Sequence, residues 1–303
     1  MNQSIKNEST QLISKKICNF WKGEEFDDKL RFPGAQPISL ELKDIVTILQ
    51  NEYLICPKLD GERFFLVLQP EGCWFVNRNM EFFETNIKFN KYLKTKGTIL
   101  DGELLPNNFV IHDAIEVLGQ NVKTKDFDKR ISSIKCIMNM FRNEPNCINI
   151  SLKDFWSVKS IRDMIKWMKQ YKIPNDGIIF YPVKGPIGYK TQMNFFKWKP
   201  PGHHTIDFLV RQSGQHMDLI TWSRSKETVF ESLPIEMFTE LEHFNPKECV
   251  IEFKTEMKQK KCQFIPWKVR TDKPIGNNLY TVRKTILNVK ENITIENLIE
   301  EFS

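Results

Sequence analysis

Three Asp-Gly pairs, each at the edge of a strand-like apolar run, constrain the fold of this chain more than any other feature of its sequence. They occur at positions 60–61, 101–102 and 176–177. Asp-Gly favours tight turns, and the runs beside it, such as Phe64–Leu68, carry the aromatic and β-branched residues typical of strands. The pattern predicts sheets whose strands begin or end at tight turns.

Helical spacing occurs in three other parts of the chain. Residues 121–172 are predicted to be mostly helical, and helical spacing returns from Tyr280 to the C-terminus. Ser39 is a candidate cap for a further helix. The apolar face of that helix is predicted to consist of Leu42, Ile45, Val46 and Leu49.

The composition changes at Pro200-Pro201-Gly202, which is the candidate domain boundary or hinge. Short β-like runs separated by turn signals follow it, as in a small barrel. These runs are Ile206–Arg211, Met217–Trp222, Val250–Lys254 and Phe264–Val269.

Charge and cysteine content limit the class of protein. The 44 basic and 38 acidic residues give a net charge of +6, which suits an anionic substrate. The seven cysteines include no CxxC pair, which indicates reduced thiols and argues against a structural zinc site. No apolar run approaches the ~18 residues of a membrane span, so no membrane partner is expected. Met1–Lys16 is polar and is predicted to be a loose arm.

Lys58 is the candidate nucleophile. It follows the apolar segment Tyr53-Leu54-Ile55 and precedes the turn-like Asp60-Gly61, so that Arg63 would face the same site from the next strand. A lysine amine attacks only when deprotonated, which burial and neighbouring cations favour. Taken alone, the stretch fits a hairpin with an exposed lysine equally well.

Carboxylates and two basic clusters, Lys197-x-Lys199 and Arg270-x-Asp272-Lys273, complete a set suited to nucleoside triphosphate chemistry. Cations would neutralise the phosphates, and carboxylates would hold a divalent metal and the ribose. Here the chain resembles the GTP:RNA guanylyltransferases, the mRNA capping enzymes of the covalent nucleotidyltransferase superfamily. The matching motifs are Phe32-Pro33-Gly34-Ala35-Gln36-Pro37, Lys58-Leu59-Asp60-Gly61-Glu62-Arg63, Asp101-Gly102-Glu103, His112-Asp113-Ala114, Asp176-Gly177-Ile178-Ile179, Lys197-Trp198-Lys199-Pro200 and Trp267-x-x-Arg270-x-Asp272-Lys273.

The resemblance implies an α+β fold of two domains. A nucleotidyltransferase domain with antiparallel sheets and flanking helices would span residues 1–203, and an OB-fold β-barrel would span 204–279. The helices of 280–303 would pack back near the first domain or cap the barrel.

The resemblance also implies roles for single residues. Lys58 would attack the α-phosphorus of GTP, form a lysyl-N-GMP intermediate and release pyrophosphate, and a 5′-diphosphate RNA would then take the GMP as GpppRNA. The other GTP contacts implied are Arg63 near the intermediate, Arg78 and Glu103 at the ribose, Lys197 and Lys199 at the α-phosphate, Asp207, and Arg270, Asp272 and Lys273 at the β- and γ-phosphates after domain closure. Asp176 would bind Mg²⁺ or Mn²⁺.

His112 departs from the family pattern. The family usually has Phe or Tyr there, stacked on guanine, whereas an imidazole offers less stacking area and can titrate. The base pocket is therefore a place where this sequence departs from the family pattern.

Two other functions stay open at this point. One is an ATP-dependent RNA or DNA ligase with a lysyl-AMP intermediate, and the other is an inactive RNA-binding module that uses its barrel. For the capping function, an RNA triphosphatase and a cap methyltransferase are expected on separate polypeptides. A polymerase C-terminal tail is a further partner by analogy. The expected location is the nucleus, or a viral factory or the cytoplasm if the source is a virus.

Overall fold

The computed structural model describes residues 4–21, 32–172, 174–224 and 226–303. The helices are α1 (Glu8–Asn19), α2 (Leu42–Gln50), α3 (Lys91–Lys96), α4 (Phe127–Ile137), α5 (Ile161–Tyr171), α6 (Leu279–Glu291) and α7 (Ile295–Phe302). The strands are β1 (Gln36–Ser39), β2 (Tyr53–Leu59), β3 (Glu62–Gln69), β4 (Gly72–Val76), β5 (Phe82–Glu84), β6 (Lys88–Phe89), β7 (Thr98–Leu105), β8 (Asn108–Val117), β9 (Gln120–Asn121), β10 (Phe141–Arg142), β11 (Asn149–Leu152), β12 (Trp156–Ser157), β13 (Asn175–Pro182), β14 (Thr191–Trp198), β15 (Thr205–Ser213), β16 (His216–Ser223), β17 (Lys226–Pro234), β18 (Cys249–Lys258) and β19 (Lys261–Val269).

The chain divides into two units, and the fold is mixed α+β with largely antiparallel sheets. The first unit comprises 1–38, 47–197 and 302–303, and the second comprises 39–46 and 198–301. The domain bounds predicted from the sequence, 1–203 and 204–279, stay a prediction. Among the described residues, no helix is long and apolar enough to cross a membrane.

Two sheets build the first unit. One has five strands in the order β1-β14-β13-β2-β12, and the other has the path β11-β8-β7-β3-β4-β5, with β9 paired to β8. The side chains of β3 alternate between two apolar clusters, Phe65 and Val67 in one and Phe64, Leu66 and Leu68 in the other. Both faces of β3 are therefore buried, which fixes its register because a shift by one residue would exchange the two sets.

The predicted loose arm at the N-terminus is wrong for its described residues. Asn7 caps α1, accepting a hydrogen bond from the Thr10 amide at 2.9 Å while its own amide donates to Thr10 Oγ1 at 3.0 Å. Ile13 and Ile17 of α1 are fully buried in the same cluster as Phe65. This capping box and the i, i+4 apolar pair make the segment a helix of the core.

Two helix predictions are also corrected. Residues 121–172 contain helices only at α4 and α5, apart from single 3-10 turns, and the short strands β10, β11 and β12 lie between them. In α2, the buried side chains are Asp44, Ile45 and Ile48, whereas three of the four predicted face residues, Leu42, Val46 and Leu49, are about half exposed. The predicted apolar face of α2 is therefore wrong.

The second unit contains a five-stranded antiparallel sheet in the order β17-β16-β15-β18-β19, as an OB-fold requires. No ladder closes β17 on β19 within the described residues, but the rings of Phe230 and Phe264 on those strands are 5.7 Å apart. Phe208 lies at the centre of the core, in contact with the rings of Phe230, Phe253 and Phe264. The core also receives the fully buried Val282 of α6.

Candidate active site

The Asp60-Gly61 turn joins two different sheets. Strand β2, which carries Lys58, belongs to the five-stranded sheet, and β3, which carries Arg63, belongs to the seven-stranded sheet. The two strands are not paired with each other, so the hairpin alternative is wrong. The turn instead places Lys58 and Arg63 on opposite walls of the space between the sheets.

A cavity of about 100 Å³ occupies this space in the first unit. It is closed by apolar side chains of the five-stranded sheet and by charged side chains of both sheets. Its lining consists of Pro37, Lys58, Arg63, Arg78, Glu103, His112, Lys153, Ile179, Tyr181 and Phe195.

Lys58 contacts Asp176 on the neighbouring strand. The ammonium donates a hydrogen bond to Asp176 Oδ1, and both side chains are about one quarter exposed. The ladder between β2 and β13 shifts register between Asn175 and Ile178, at the position of Asp176. Gly177 has a φ of 146°, a conformation that favours glycine. The Asp-Gly pair at 176–177 therefore makes a bulge that turns a carboxylate toward the nucleophile candidate.

Arg63 is held in one orientation by three hydrogen bonds. It donates to Asp101 from Nε at 2.9 Å and from Nη2 at 2.5 Å, and to the Ala35 carbonyl from Nη1 at 2.6 Å. Its guanidinium also lies 5.2 Å from the ring centroid of Phe32. A buried arginine with this many partners is a fixed cation at the wall of the cavity.

Glu103 lies beside Lys58 and Lys153. It accepts a hydrogen bond from the Gly61 amide at 3.1 Å, and its Oε2 is 3.9 Å from Lys153 Nζ. Burial raises the pKa of Glu103, and the nearby Lys153 ammonium opposes that rise. Glu103 therefore contacts both the Asp60-Gly61 turn and Lys153 at the wall of the cavity near Lys58.

His112 is buried in the wall of the cavity. Its Nε2 lies 3.4 Å from Asp101 Oδ1, and its Nδ1 has no hydrogen-bond partner among the described residues. Burial lowers the pKa of His112 well below its usual value, and the positive charge of Arg63 lowers it further. The imidazole is 6.2 Å from the ring of Tyr181, so the two form one edge of the cavity.

Of the three predicted residues Arg78, Lys197 and Lys199, only Arg78 lines the cavity. Arg78 follows β4 and lines the cavity, where burial lowers its pKa. Lys197 is partly buried in β14 and is not among the described residues that line the cavity. Lys199 lies just past β14 in the second unit.

Four of the predicted residues in the second unit, Asp207, Arg270, Asp272 and Lys273, form one cluster. Asp207 of β15 accepts hydrogen bonds from Lys273 and, at 3.2 Å, from Arg270 Nη1. Arg270 also donates to both oxygens of Asp272, at 2.8 and 2.7 Å. The paired guanidinium lowers the pKa of Asp272, and the same hydrogen bonds raise the pKa of Arg270. Asp207 thus forms ion pairs with both Arg270 and Lys273 and keeps these two cations close together.

The donor set around Lys58 fits a magnesium ion that is shared with phosphates. Within the described ranges, no three His, Cys, Asp or Glu side chains converge as a metal cage. Asp176 and Glu103 are carboxylates near Lys58, and the negative charge of Asp176 raises the pKa of Glu103. Mg²⁺ commonly uses one or two carboxylates together with substrate phosphates, so these residues suit it.

The sequence analysis did not predict two features of the site. One is the presence of Lys153, and the other is the role of Asp101 in positioning Arg63. Lys153 follows β11, in a region predicted to be helical. The alternation of Ile150 and Leu152 with polar residues is a strand signal that would have placed Lys153 at a strand end. The pairing of Asp101 with Arg63 could not be read from spacing, because it joins neighbouring strands.

Comparisons with known proteins identify the family of this chain. A family model described as mRNA capping enzyme, catalytic domain, matches residues 2–201. An mRNA-capping enzyme of Caenorhabditis elegans is 24% identical over 97% of this chain and 51% of its own length. One of Danio rerio is 27% identical over 61% of this chain and 35% of its own.

A third relative, the mRNA-capping enzyme subunit alpha of Saccharomyces cerevisiae, is 27% identical over 58% of this chain and 47% of its own length. The chain thus spans about half or less of the length of these relatives.

Proposed function

The chain belongs to the mRNA capping enzyme catalytic-domain family, and on that premise we propose that it is an mRNA guanylyltransferase. It transfers GMP from GTP to the 5′-diphosphate end of RNA through a covalent intermediate on Lys58. The observation that carries this proposal is the position of Lys58 beside Asp176, in a cavity also lined by Arg63 and Glu103.

The first step forms a nitrogen–phosphorus bond. The free amine of Lys58 attacks the α-phosphorus of GTP, the bond from that phosphorus to the bridging oxygen breaks, and pyrophosphate leaves with the electron pair. The Lys58 ammonium must first give up one proton to become the free amine, and Asp176 is placed to accept it because Oδ1 takes a hydrogen bond from Nζ. A second proton leaves Nζ as the nitrogen–phosphorus bond forms and passes to solvent. Arg63, held by Asp101, supplies a fixed positive charge near the phosphorus.

The second step regenerates the lysine. An oxygen of the terminal phosphate of a 5′-diphosphate RNA attacks the same phosphorus, and the bond to Lys58 Nζ breaks. Nζ regains a proton, and the product is RNA that ends in GpppN.

Asp176 is the carboxylate that would hold Mg²⁺ or Mn²⁺, which when bound supplies charge neutralisation at the phosphates, and Glu103 would contact the ribose. Asp207, Arg270, Asp272 and Lys273 would act on the β- and γ-phosphates, where two cations stabilise the leaving pyrophosphate. Lys197 and Lys199 would act at the α-phosphate, and Arg78 at the ribose.

Lys153 supports a preference for guanine over adenine. Its ammonium is a hydrogen-bond donor only, and it lines the cavity with His112 and Ile179. Guanine presents the acceptor O6 where adenine presents a donor amino group. A buried lysine at the base end of the cavity would therefore bind guanine and repel adenine.

Labelling with nucleotides tests the function directly. The protein is incubated with GTP or ATP labelled at the α-phosphate, and denatured protein is examined for covalent label. GTP should label the wild-type protein and the Lys184→Ala control, a lysine of the same unit that is 69% exposed, but not Lys58→Ala. Labelling by ATP and not GTP would instead indicate a ligase, and labelling by neither would favour an RNA-binding module.

The reaction implies partners of defined chemistry. Because the acceptor ends in a diphosphate, an RNA 5′-triphosphatase must act before this protein, and a cap methyltransferase acts after it. A polymerase tail would bring the nascent RNA. The nucleus, or a viral factory or the cytoplasm for a viral source, is the proposed location.

A further inference from the structure

Trp267 is the extra residue of a β-bulge in the second unit. In the ladder between β18 and β19, Glu252 pairs with Lys268 and Phe253 pairs with Pro266, so Trp267 has no opposite residue. Its side chain is 50% exposed. Bulges change the direction in which a side chain points. This one leaves a large, flat indole in contact with solvent.

A lysine lies against this indole. Lys254 Nζ is 4.3 Å from the ring centroid of Trp267, a distance at which an ammonium is attracted to an aromatic face. No carboxylate of the described residues forms an ion pair with Lys254 within 4 Å, so its ammonium can take an anionic partner. The contact therefore combines an aromatic surface with an available cation.

The same side of the β18–β19 hairpin carries further lysines. Thr255 and Phe264 point inward and are buried, so the alternate residues of both strands point outward. We call this outward side the hairpin face. It consists of Glu252, Lys254, Glu256, Lys258, Lys261, Gln263, Ile265, Trp267 and Lys268.

Charge on the hairpin face is positive overall. Its carboxylates are Glu252, which is 3.5 Å from Arg270, and Glu256. One of its lysines, Lys261, forms an ion pair with Glu231 at 2.6 Å. The lysines still outnumber the carboxylates, and Lys260 in the hairpin turn adds another positive charge.

We propose that the hairpin face binds single-stranded RNA, with a base stacked on Trp267 and the adjoining phosphate held by Lys254. Proteins bind single strands by combining cations that follow the backbone with aromatic side chains that stack on bases. An acidic peptide would use the lysines but has no flat base for the exposed indole. The inference rests on the proposed function, because RNA is the acceptor there, and it adds where the RNA chain is held.

RNA affinity measured without GTP tests this inference. A short single-stranded RNA with a 3′ fluorescent label is titrated with the protein, and anisotropy gives the affinity at two salt concentrations. Trp267→Ala should weaken binding roughly 5- to 150-fold, because stacking on one base contributes that much. Trp267→Phe keeps an aromatic ring and should stay within about 3-fold of wild type.

Lys254→Ala should weaken binding and should lower the slope of log affinity against log salt by about one. Tyr280→Ala is the matched control. Tyr280 is a 66% exposed aromatic whose ring lies 5.8 Å from Lys284, but Lys284 forms an ion pair with Glu41 and is not available to a phosphate. This variant should bind RNA as the wild type does.

Three results of the binding measurements with these proteins and RNAs would overturn the inference, and a competition experiment gives a fourth. They are unchanged affinity of Trp267→Ala, equal loss in Tyr280→Ala, and equally tight binding of duplex RNA, whose bases are not available for stacking. Displacement of the RNA by poly-glutamate at equal charge concentration would also overturn it and would indicate an acidic protein partner.

Labelling by GTP separates this inference from the proposed function. A protein that takes label from GTP, but whose RNA affinity does not depend on Trp267, keeps the function and loses the hairpin face as an RNA site. If the wild-type protein is not labelled by GTP, but Trp267→Ala loses RNA affinity, the hairpin face is kept as an RNA site and the guanylyltransferase function is lost.

Discussion

Arg63 and Asp101 form a buried, two-point ion pair, with Nε and Nη2 of the guanidinium 2.9 and 2.5 Å from the two carboxylate oxygens. The same carboxylate lies 3.4 Å from His112 Nε2. Asp101 therefore positions two groups that line the cavity, although it does not line the cavity itself.

Asp101→Asn should destabilise the protein and weaken nucleotide labelling. The change keeps the shape of the side chain but leaves the buried Arg63 without its counter-charge, at a cost of about 3 kcal/mol in the free energy of unfolding. Urea unfolding of the two proteins measures this loss, and GTP labelling measures the effect on the site.

The control for Asp101→Asn is Glu227→Gln. Glu227 also pairs with an arginine through two contacts, from Arg211 at 2.9 and 3.4 Å, but this pair is exposed. Water screens exposed pairs, so the control should unfold almost as the wild type does. Equal effects of the two substitutions would show that burial of the Arg63 pair does not matter.

His112 should make stability depend on pH below neutrality. Burial holds the pKa of its ring well below the usual value of 6.5. As pH falls below that value, the unfolded chain takes up a proton that the folded protein does not. Stability is then lost by up to about 1.4 kcal/mol per pH unit until the folded pKa is reached.

His112→Phe should remove this part of the pH dependence. Urea unfolding of wild type and variant between pH 5 and pH 7 gives the difference in slope, and His203→Gln, at an exposed histidine, should leave the slope unchanged. Parallel pH curves for wild type and His112→Phe would contradict a buried, neutral imidazole.

The turn at Asp60-Gly61 illustrates what the sequence could and could not predict. Residue type and spacing indicated a turn between two strands, and both exist. The strands belong to different sheets, however, and local spacing carries no information about which strands pair. Placement of Lys58 and Arg63 on facing walls depends on that long-range pairing.

The N-terminal segment and Lys153 were missed for different reasons. The segment Met1–Lys16 is polar on average, and the apolar residues that α1 buries include Ile13 and, just past the segment, Ile17. Average composition therefore did not reveal a helix of the core. Lys153 lies outside the matching motifs, and its contact with Glu103 joins positions 50 residues apart in sequence. Neither composition nor motif spacing detects such a contact.

Lys153→Met should reduce the preference for GTP over ATP. The side chain is 5% exposed, and methionine fills a similar volume without the donor. Loss of a hydrogen bond from a charged donor costs about 1.5–3 kcal/mol, so labelling by GTP should fall roughly 10- to 150-fold. Labelling by ATP should not fall, because adenine gains nothing from this ammonium.

Rates of labelling at equal concentrations of GTP and ATP measure this ratio for wild type and Lys153→Met. Lys184→Met, at an exposed lysine, is the control and should keep the wild-type ratio. If both nucleotides lose labelling equally in Lys153→Met, the residue acts on the phosphates or on Glu103 and not on the base.

Arg270→Ala should impair the first step of the reaction more than the second. Arg270 and Lys273 are gathered by Asp207, and we assign them to the pyrophosphate that leaves when the lysyl-GMP intermediate forms. No pyrophosphate is present when RNA takes the GMP. Removal of a cation that stabilises a leaving group should slow labelling by GTP at least about 10-fold, with transfer from a preformed intermediate nearly unchanged.

Single-turnover measurements separate the two steps for Arg270→Ala. Labelling by GTP is followed alone, and isolated labelled protein is then mixed with 5′-diphosphate RNA. Arg211→Ala is the matched control, because Arg211 is an arginine of the same unit that also bridges two carboxylates, Glu227 and Glu248, but lies outside the Asp207 cluster. It should label and transfer at wild-type rates. Equal loss of both steps in Arg270→Ala would contradict a role at pyrophosphate and would point to a role in binding GMP itself.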